Sequence, residues 1–119
     1  MTWNLFIDDE RNLEDVTWAS WQVREKYRNE EWEICRSMME VISAIFRHDK
    51  EVPSFISFDH DLGENESTGY SIAKWIVEMD MDGVVKIPKD FDFYVHSQNP
   101  IGKANIESLL NNYMKIRNK

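Results

Sequence analysis

"SFISFDHDLG", residues 54–63, stays apolar from Phe55 to Phe58 and then turns without a spacer into Asp59, His60 and Asp61. A short apolar run closed by ionisable groups reads as a buried strand whose carboxyl end opens on a polar rim. The same reading extends outward. "NLFID", residues 4–8, is a second apolar run closed by acids, "EWEIC", residues 31–35, alternates as a strand does, and "FDFYVHS", residues 91–97, sets Phe91, Phe93 and Val95 against Asp92, Tyr94 and His96. The last is expected to be an edge strand with one more polar face.

Helical signals fill the gaps. Val16, Ala19, Val23 and Tyr27 keep an approximate helical period that places a helix over about residues 18–28. Ser37 with Glu40 three residues on is a capping-box pair. It opens a helix with Met38, Val41, Ile42, Ile45 and Phe46 on one face. The turn-rich "GENESTG", residues 63–69, precedes a stripe of Ile72, Ala73, Ile76 and Val77 that "MDMDG" ends. Asn99 before Pro100 is a helix entrance, Ile106, Leu109, Leu110 and Tyr113 form the stripe of a closing helix, and "KIRNK" reads as a frayed tail. The order β, α, β, α, β, α, β, α predicts an α/β fold, a three-layer sandwich with a mostly parallel sheet of about four strands. No linker or repeat divides the chain, so residues 1–119 are expected to form one domain.

Composition narrows the function classes. The net charge is -8, from 22 acidic and 14 basic residues, which suits neither coating of nucleic acid nor an anionic membrane surface. No apolar window is long enough to span a bilayer, and "MTWNLFIDDER" has neither the basic start nor the apolar core of a signal peptide. The single cysteine, Cys35, cannot form an internal disulfide, which fits a cytoplasmic location. Function is therefore expected in one small site.

In open parallel sheets ligands bind beyond the carboxyl ends of the strands. The residues placed there are Asp8, Asp9 and Glu10, then Asp59, His60 and Asp61, then His96, Ser97, Gln98 and Asn99. Three acids gathered on one rim need a cation or a proton, and oxygen ligands favour Mg²⁺ or Mn²⁺. The plainer alternative is that Asp9 and Glu10 are helix-start acids. His60 and His96 would fall on the same rim, where one imidazole can accept a proton while another donates one. Equally, each histidine could simply hold a loop. Ser97, Asn99 and Gly102 sit at a helix N-terminus, where free N–H groups favour a phosphate, with Lys103 alongside; Asn99 also serves as a cap.

"LFIDDER", with an aspartate after a later strand and a serine after the next, resembles the receiver domains of two-component signalling. That resemblance implies Asp8 and Asp9 as metal acids, Asp59 as phosphoryl acceptor and Ser97 as hydroxyl switch. Receivers end a fifth strand with a lysine, whereas here "FYVHS" passes straight into the last helix. "LFIDDER", "SFDHDLG", "TGYSIAKWIVE" and "FYVHSQNPIGKANIESLLNNYM" together are more similar to the cyclic-phosphate processing receiver-like family of phage and bacterial genomes. This closer resemblance implies a site of His60, His96, Asp8, Asp9, Asp59 and Asp61, with Ser97, Asn99 and Gly102 in the same strand-to-helix motif. The expected activity is a phosphoesterase for 2′,3′-cyclic RNA ends or cyclic nucleotides. In it His60 and His96 share the acid–base work, Asp8, Asp9 and Asp59 hold a divalent ion, Ser97, Asn99, Gly102 and Lys103 bind phosphate, and Asp61 and Glu10 support them. The alternative is a non-catalytic receiver-like module that captures a nucleotide signal or a host protein.

Overall fold

The computed structural model describes residues 3–62 and 68–118, so most of the turn-rich stretch expected at residues 63–69 lies outside the described residues. Four strands form one all-parallel sheet in the order β2-β1-β3-β4, with β1 at Asn4–Ile7, β2 at Glu33–Cys35, β3 at Phe55–Phe58 and β4 at Asp92–Val95. The helices are α1 at Trp21–Asn29, α2 at Met38–Arg47, α3 at Gly69–Met81 and α4 at Pro100–Arg117. The expected α/β three-layer architecture is what the chain adopts. Strand order reverses direction beside β1, so the crevice between the ends of β1 and β3 is the topological switch point.

The two faces of the sheet are covered unequally. Leu5, Ile7, Ile56, Phe58 and Val95 pack with apolar stripes of α2, α3 and α4, including Val41, Ile45, Ile72, Ile76, Ile106 and Leu110. Phe6 points the other way, into a smaller cluster with Val16, Ala19 and Tyr27 that α1 covers alone. Period-two alternation along β1 and β3 produces this split. It also turns Ser57 toward α1, where its hydroxyl meets Tyr27.

Local chemistry places the helix starts. Ser20 rather than a residue near Trp18 caps α1, accepting from the N–H of Val23. Its apolar period begins earlier because a short 3₁₀ turn at Leu13–Asp15 already delivers Val16 to the core. Ser37 caps α2 as expected, but the Glu40 carboxylate reaches back to the N–H of Arg36 instead of Ser37. Asn99 caps α4 by accepting from Gly102, with Pro100 in the first turn. The frayed tail does not occur among the described residues. Arg117 donates to Asp80 at 2.8 Å and to the Ile87 carbonyl at 2.5 Å, and Tyr113 donates to the same Asp80, so α4 is anchored to its last turn. β4 is an edge strand, as expected, and Asp92 of its polar face is exposed, whereas His96 just beyond the strand is fully buried.

Gly69 joins α3 to the loop after β3. Its N–H donates to the carbonyl of His60 at 2.8 Å, and a Cβ there would lie 1.8 Å from the carbonyl oxygen of Asp59. The neighbour is backbone and cannot rotate away. Gly69→Ala is therefore expected to cost about 1–3 kcal/mol, as overpacking does, read as a lower urea midpoint with unchanged slope; a midpoint equal to that of the parent chain would refute the tight docking.

Candidate functional site

Three strand ends converge at the switch point. Asp8 follows β1, Asp59 follows β3 and His96 follows β4, and all three side chains are buried. Their carboxylate and imidazole donor atoms lie within 4.8 Å of one another. Parallel pairing in register is the cause: Ile7 pairs with Phe58 and Phe58 with Val95, so the residues one step further on meet side by side.

Asp8 is the most heavily bonded of the three. One oxygen accepts the backbone N–H groups of Glu10 and Arg11 at 2.9 and 2.8 Å, and the other accepts Nε2–H of His96 at 3.0 Å. Burial alone would raise its pKa, but the hydrogen bond from His96 and the two backbone N–H groups outweigh it. The Asp8 carboxyl is held well below the ordinary carboxylate range. Asp59 shifts the opposite way. Burial and the charge of Asp8 raise its pKa, and His96, the N–H of His60 and Arg11 offset this only in part. Two neighbouring carboxyls are thus driven apart, one firmly ionised and one a stronger base than a free aspartate.

His96 ends a buried chain of hydrogen bonds. Its Nδ1 lies 2.7 Å from Ser57 Oγ, which lies 2.5 Å from Tyr27 Oη. Burial raises the pKa of Tyr27, so the phenol keeps its proton. A neutral imidazole fits when Tyr27 donates to Ser57, Ser57 donates to Nδ1 and Nε2–H donates to Asp8; every proton then has an acceptor. Phe6 stacks on the ring at 4.6 Å, and Trp18 donates its indole N–H to the His96 carbonyl at 2.8 Å. Tyr27 and Ser57 were not among the expected site residues. The signal for Ser57 is a hydroxyl inside the apolar run "FISF", and Tyr27 carries none beyond its place in a core stripe.

Above the acids lies a cleft of about 450 Å³. Asp9, Glu10 and Arg11 wall one side, Asp59 and Asp61 the second, and Ser97, Gln98 and Asn99 the third. His60 packs its ring against Gly102, where any Cβ would lie 2.2 Å from Cγ. Its Nδ1 lies 3.1 Å from Asp61 Oδ1 and 3.5 Å from Asn99 Nδ2. Of the expected phosphate contacts, Gly102 spends its N–H on Asn99 and Ser97 accepts from the N–H of Asn99. Lys103 reaches over the ring of Tyr94 at 5.7 Å.

Arg11 is the cation of the cleft, and it too was absent from the expected set. Its guanidinium lies 3.5 Å from Asp8 and 3.9 Å from Asp59, and 5.0 Å from the centre of the Trp18 ring. The loop that carries it is pinned by Arg36, which donates to the carbonyls of Asp8 and Arg11 and to Asn12 Oδ1. Mg²⁺ on oxygen ligands alone fits this rim poorly. Asp9 stands on the cleft wall outside the convergent trio, the third donor is a nitrogen, and the space between the carboxylates already faces a guanidinium. Cys35, elsewhere, is buried with its thiol pushed up to about 11 chiefly by burial, so it is inert.

A family model described as the cyclic-phosphate processing receiver domain matches residues 3–112. No curated protein and no solved structure matches the chain. Among the described residues no helix is long and apolar enough to cross a membrane.

The opposed carboxyls make stability depend on pH in opposite senses. An aspartate in an unfolded chain ionises near about pH 3.9. Asp8, depressed on folding, contributes stability that is present above that pH and lost as pH falls through its folded value. Asp59, raised on folding, penalises the native state above that pH and ceases to do so in acid. Asp59→Asn is expected to raise the melting temperature at pH 7, with the gain disappearing toward pH 4, whereas Asp8→Asn should cost roughly 3 kcal/mol by stripping a partner from a buried pair. Melting curves between pH 4 and pH 8 test this; an Asp59→Asn protein less stable than its parent at neutral pH would contradict it.

Proposed function

We propose, from the premise that this chain belongs to the cyclic-phosphate processing receiver domain family, that it is a phosphoesterase opening cyclic phosphates at the cleft over Asp59. The observation that carries the reading is the convergence of buried Asp8 and Asp59 beside Arg11, with Asp59 and Arg11 lining one cleft. Candidate substrates are 2′,3′-cyclic RNA termini and cyclic nucleotides. The cleft is of a size for one phosphate with its nucleoside, with Arg11 on its wall to meet the phosphate, and the acidic chain repels a long polyanion.

The step is an in-line hydrolysis. Asp59, ionised and more basic than a free aspartate, takes a proton from water as the water oxygen forms its bond to phosphorus. The ester bond to one ring oxygen breaks, and His60 in its protonated form gives that oxygen its proton through Nε2. Arg11 carries the phosphate charge as it builds up. His96 does not reach the substrate in this scheme. It acts as a positioning residue, keeping Asp8 ionised so that Asp8 in turn raises the basicity of Asp59.

Product analysis on 2′,3′-cyclic AMP, 3′,5′-cyclic AMP and a cyclic-ended oligoribonucleotide tests the proposal. Asp59→Asn and His60→Ala are each expected to lower kcat by about 10²–10⁴-fold, the usual worth of an acid–base group. Undiminished turnover in both variants would eliminate the mechanism. Tight binding of an intact cyclic nucleotide without turnover would instead make the chain a capture module.

A further inference from the structure

The acid pair at the switch point sets an electrostatic problem. Asp8 and Asp59 are both buried, Asp59 lines the cleft with Asp8 beneath it, and their carboxylate oxygens lie within 4.8 Å of each other. Sites of this kind are commonly balanced by a divalent ion. Here a side chain of the same loop stands in that place. The guanidinium of Arg11 faces Asp8 Oδ2 and Asp59 Oδ2 at 3.5 and 3.9 Å.

The placement is built rather than incidental. Arg36 holds the backbone of the loop through three acceptors, the carbonyls of Asp8 and Arg11 and the side chain of Asn12. Trp18 lies under the guanidinium at 5.0 Å, and Trp18 is itself tied to the carbonyl of His96 at 2.8 Å. The contacts to the acids are long for charge-assisted hydrogen bonds, which run to about 2.9 Å. The side chain remains 36% exposed. Arg11 therefore neutralises the pair while keeping donors free toward the cleft.

We infer that Arg11 is the resident cation of this site, standing where a divalent ion would otherwise bind, and that removing it unmasks a divalent-cation site made of Asp8, Asp59 and His96. Those three groups offer two carboxylate oxygens and one imidazole nitrogen with donor atoms within 4.8 Å of one another. A mixed oxygen and nitrogen set of this kind suits Mn²⁺ better than Mg²⁺. In the parent chain the guanidinium repels the ion. Without it, His96 can change tautomer, carrying its single proton on Nδ1 toward Ser57 Oγ and leaving the Nε2 lone pair for the metal, with Asp8 and Asp59 supplying the charge.

The inference stands on the geometry of the acids and Arg11, so it can fail independently of the proposed hydrolysis. The test is Mn²⁺ binding followed by the loss of the free-ion electron paramagnetic resonance signal. Arg11→Ala is expected to bind one Mn²⁺ about tenfold or more tightly than the parent chain, because a unit positive charge beside the donors has gone. Adding Asp59→Asn should abolish the gain, and Arg11→Lys, which keeps the charge, should not show it. Arg11→Met, which keeps an apolar stem against Trp18, serves if the alanine variant folds poorly. Equal affinity in the parent and in the charge-removed variants, whether weak or tight, would overturn the inference.

Discussion

The hydrogen bond from His96 to Asp8 is the contact on which the other features of the rim depend. It joins the end of β4 to the end of β1 across the top of β3, inside a region with no solvent exposure. A carboxylate in such a place is costly unless its oxygens are satisfied. Asp8 meets that condition with two backbone donors from its own loop and one from the imidazole, and the loop is shaped as a result. The firmly ionised Asp8 then acts on Asp59, whose carboxyl would be an ordinary buried acid without that neighbour. The pairing helps to keep Asp8 ionised, and the charge of Asp8 adds to burial in raising the pKa of Asp59.

The unequal coverage of the sheet explains where this polar chain could be placed. Three helices bury the apolar face, whose core is largely branched aliphatic with Phe58 and Phe91 among it. The opposite face has α1 alone and a handful of aromatic rings. Tyr27, Ser57 and His96 occupy this thinner side, where Phe6 covers the imidazole and the indole of Trp18 caps its carbonyl. The larger apolar core and the buried polar chain are thus separated by the thickness of one sheet. Substitutions among the aliphatic residues and among the polar ones should act on different properties.

Strand number, order of elements and the residues beyond each strand end were all readable from short apolar runs closed by acids and histidine. Asp8, Asp59 and His96 meet as that reading requires, since adjacency of strand ends is a topological matter. Depth is not. The alternation in "FDFYVHS" marks His96 as polar and cannot tell that a stacked Phe6 and a serine from β3 would enclose it. Arg11 was legible only as one basic residue in an acidic loop, because its direction depends on Arg36, which lies 25 residues away in the chain. The tail was misread for a similar reason: the partner of Arg117 is Asp80, 37 residues earlier. Local pattern specifies elements, whereas long-range charge pairing specifies which of them are tied down.

The contact between Asp8 and His96 spans 88 positions of the chain. Closing so long a loop is entropically slow and follows the local helices and the central strands. Until β4 docks, Asp8 and Asp59 lie on adjoining strands without the imidazole, and Arg11 of the same loop offsets their repulsion. A growing chain can shape its scaffold early, and the second oxygen of Asp8 gains its imidazole donor only when the last quarter of the sequence has arrived.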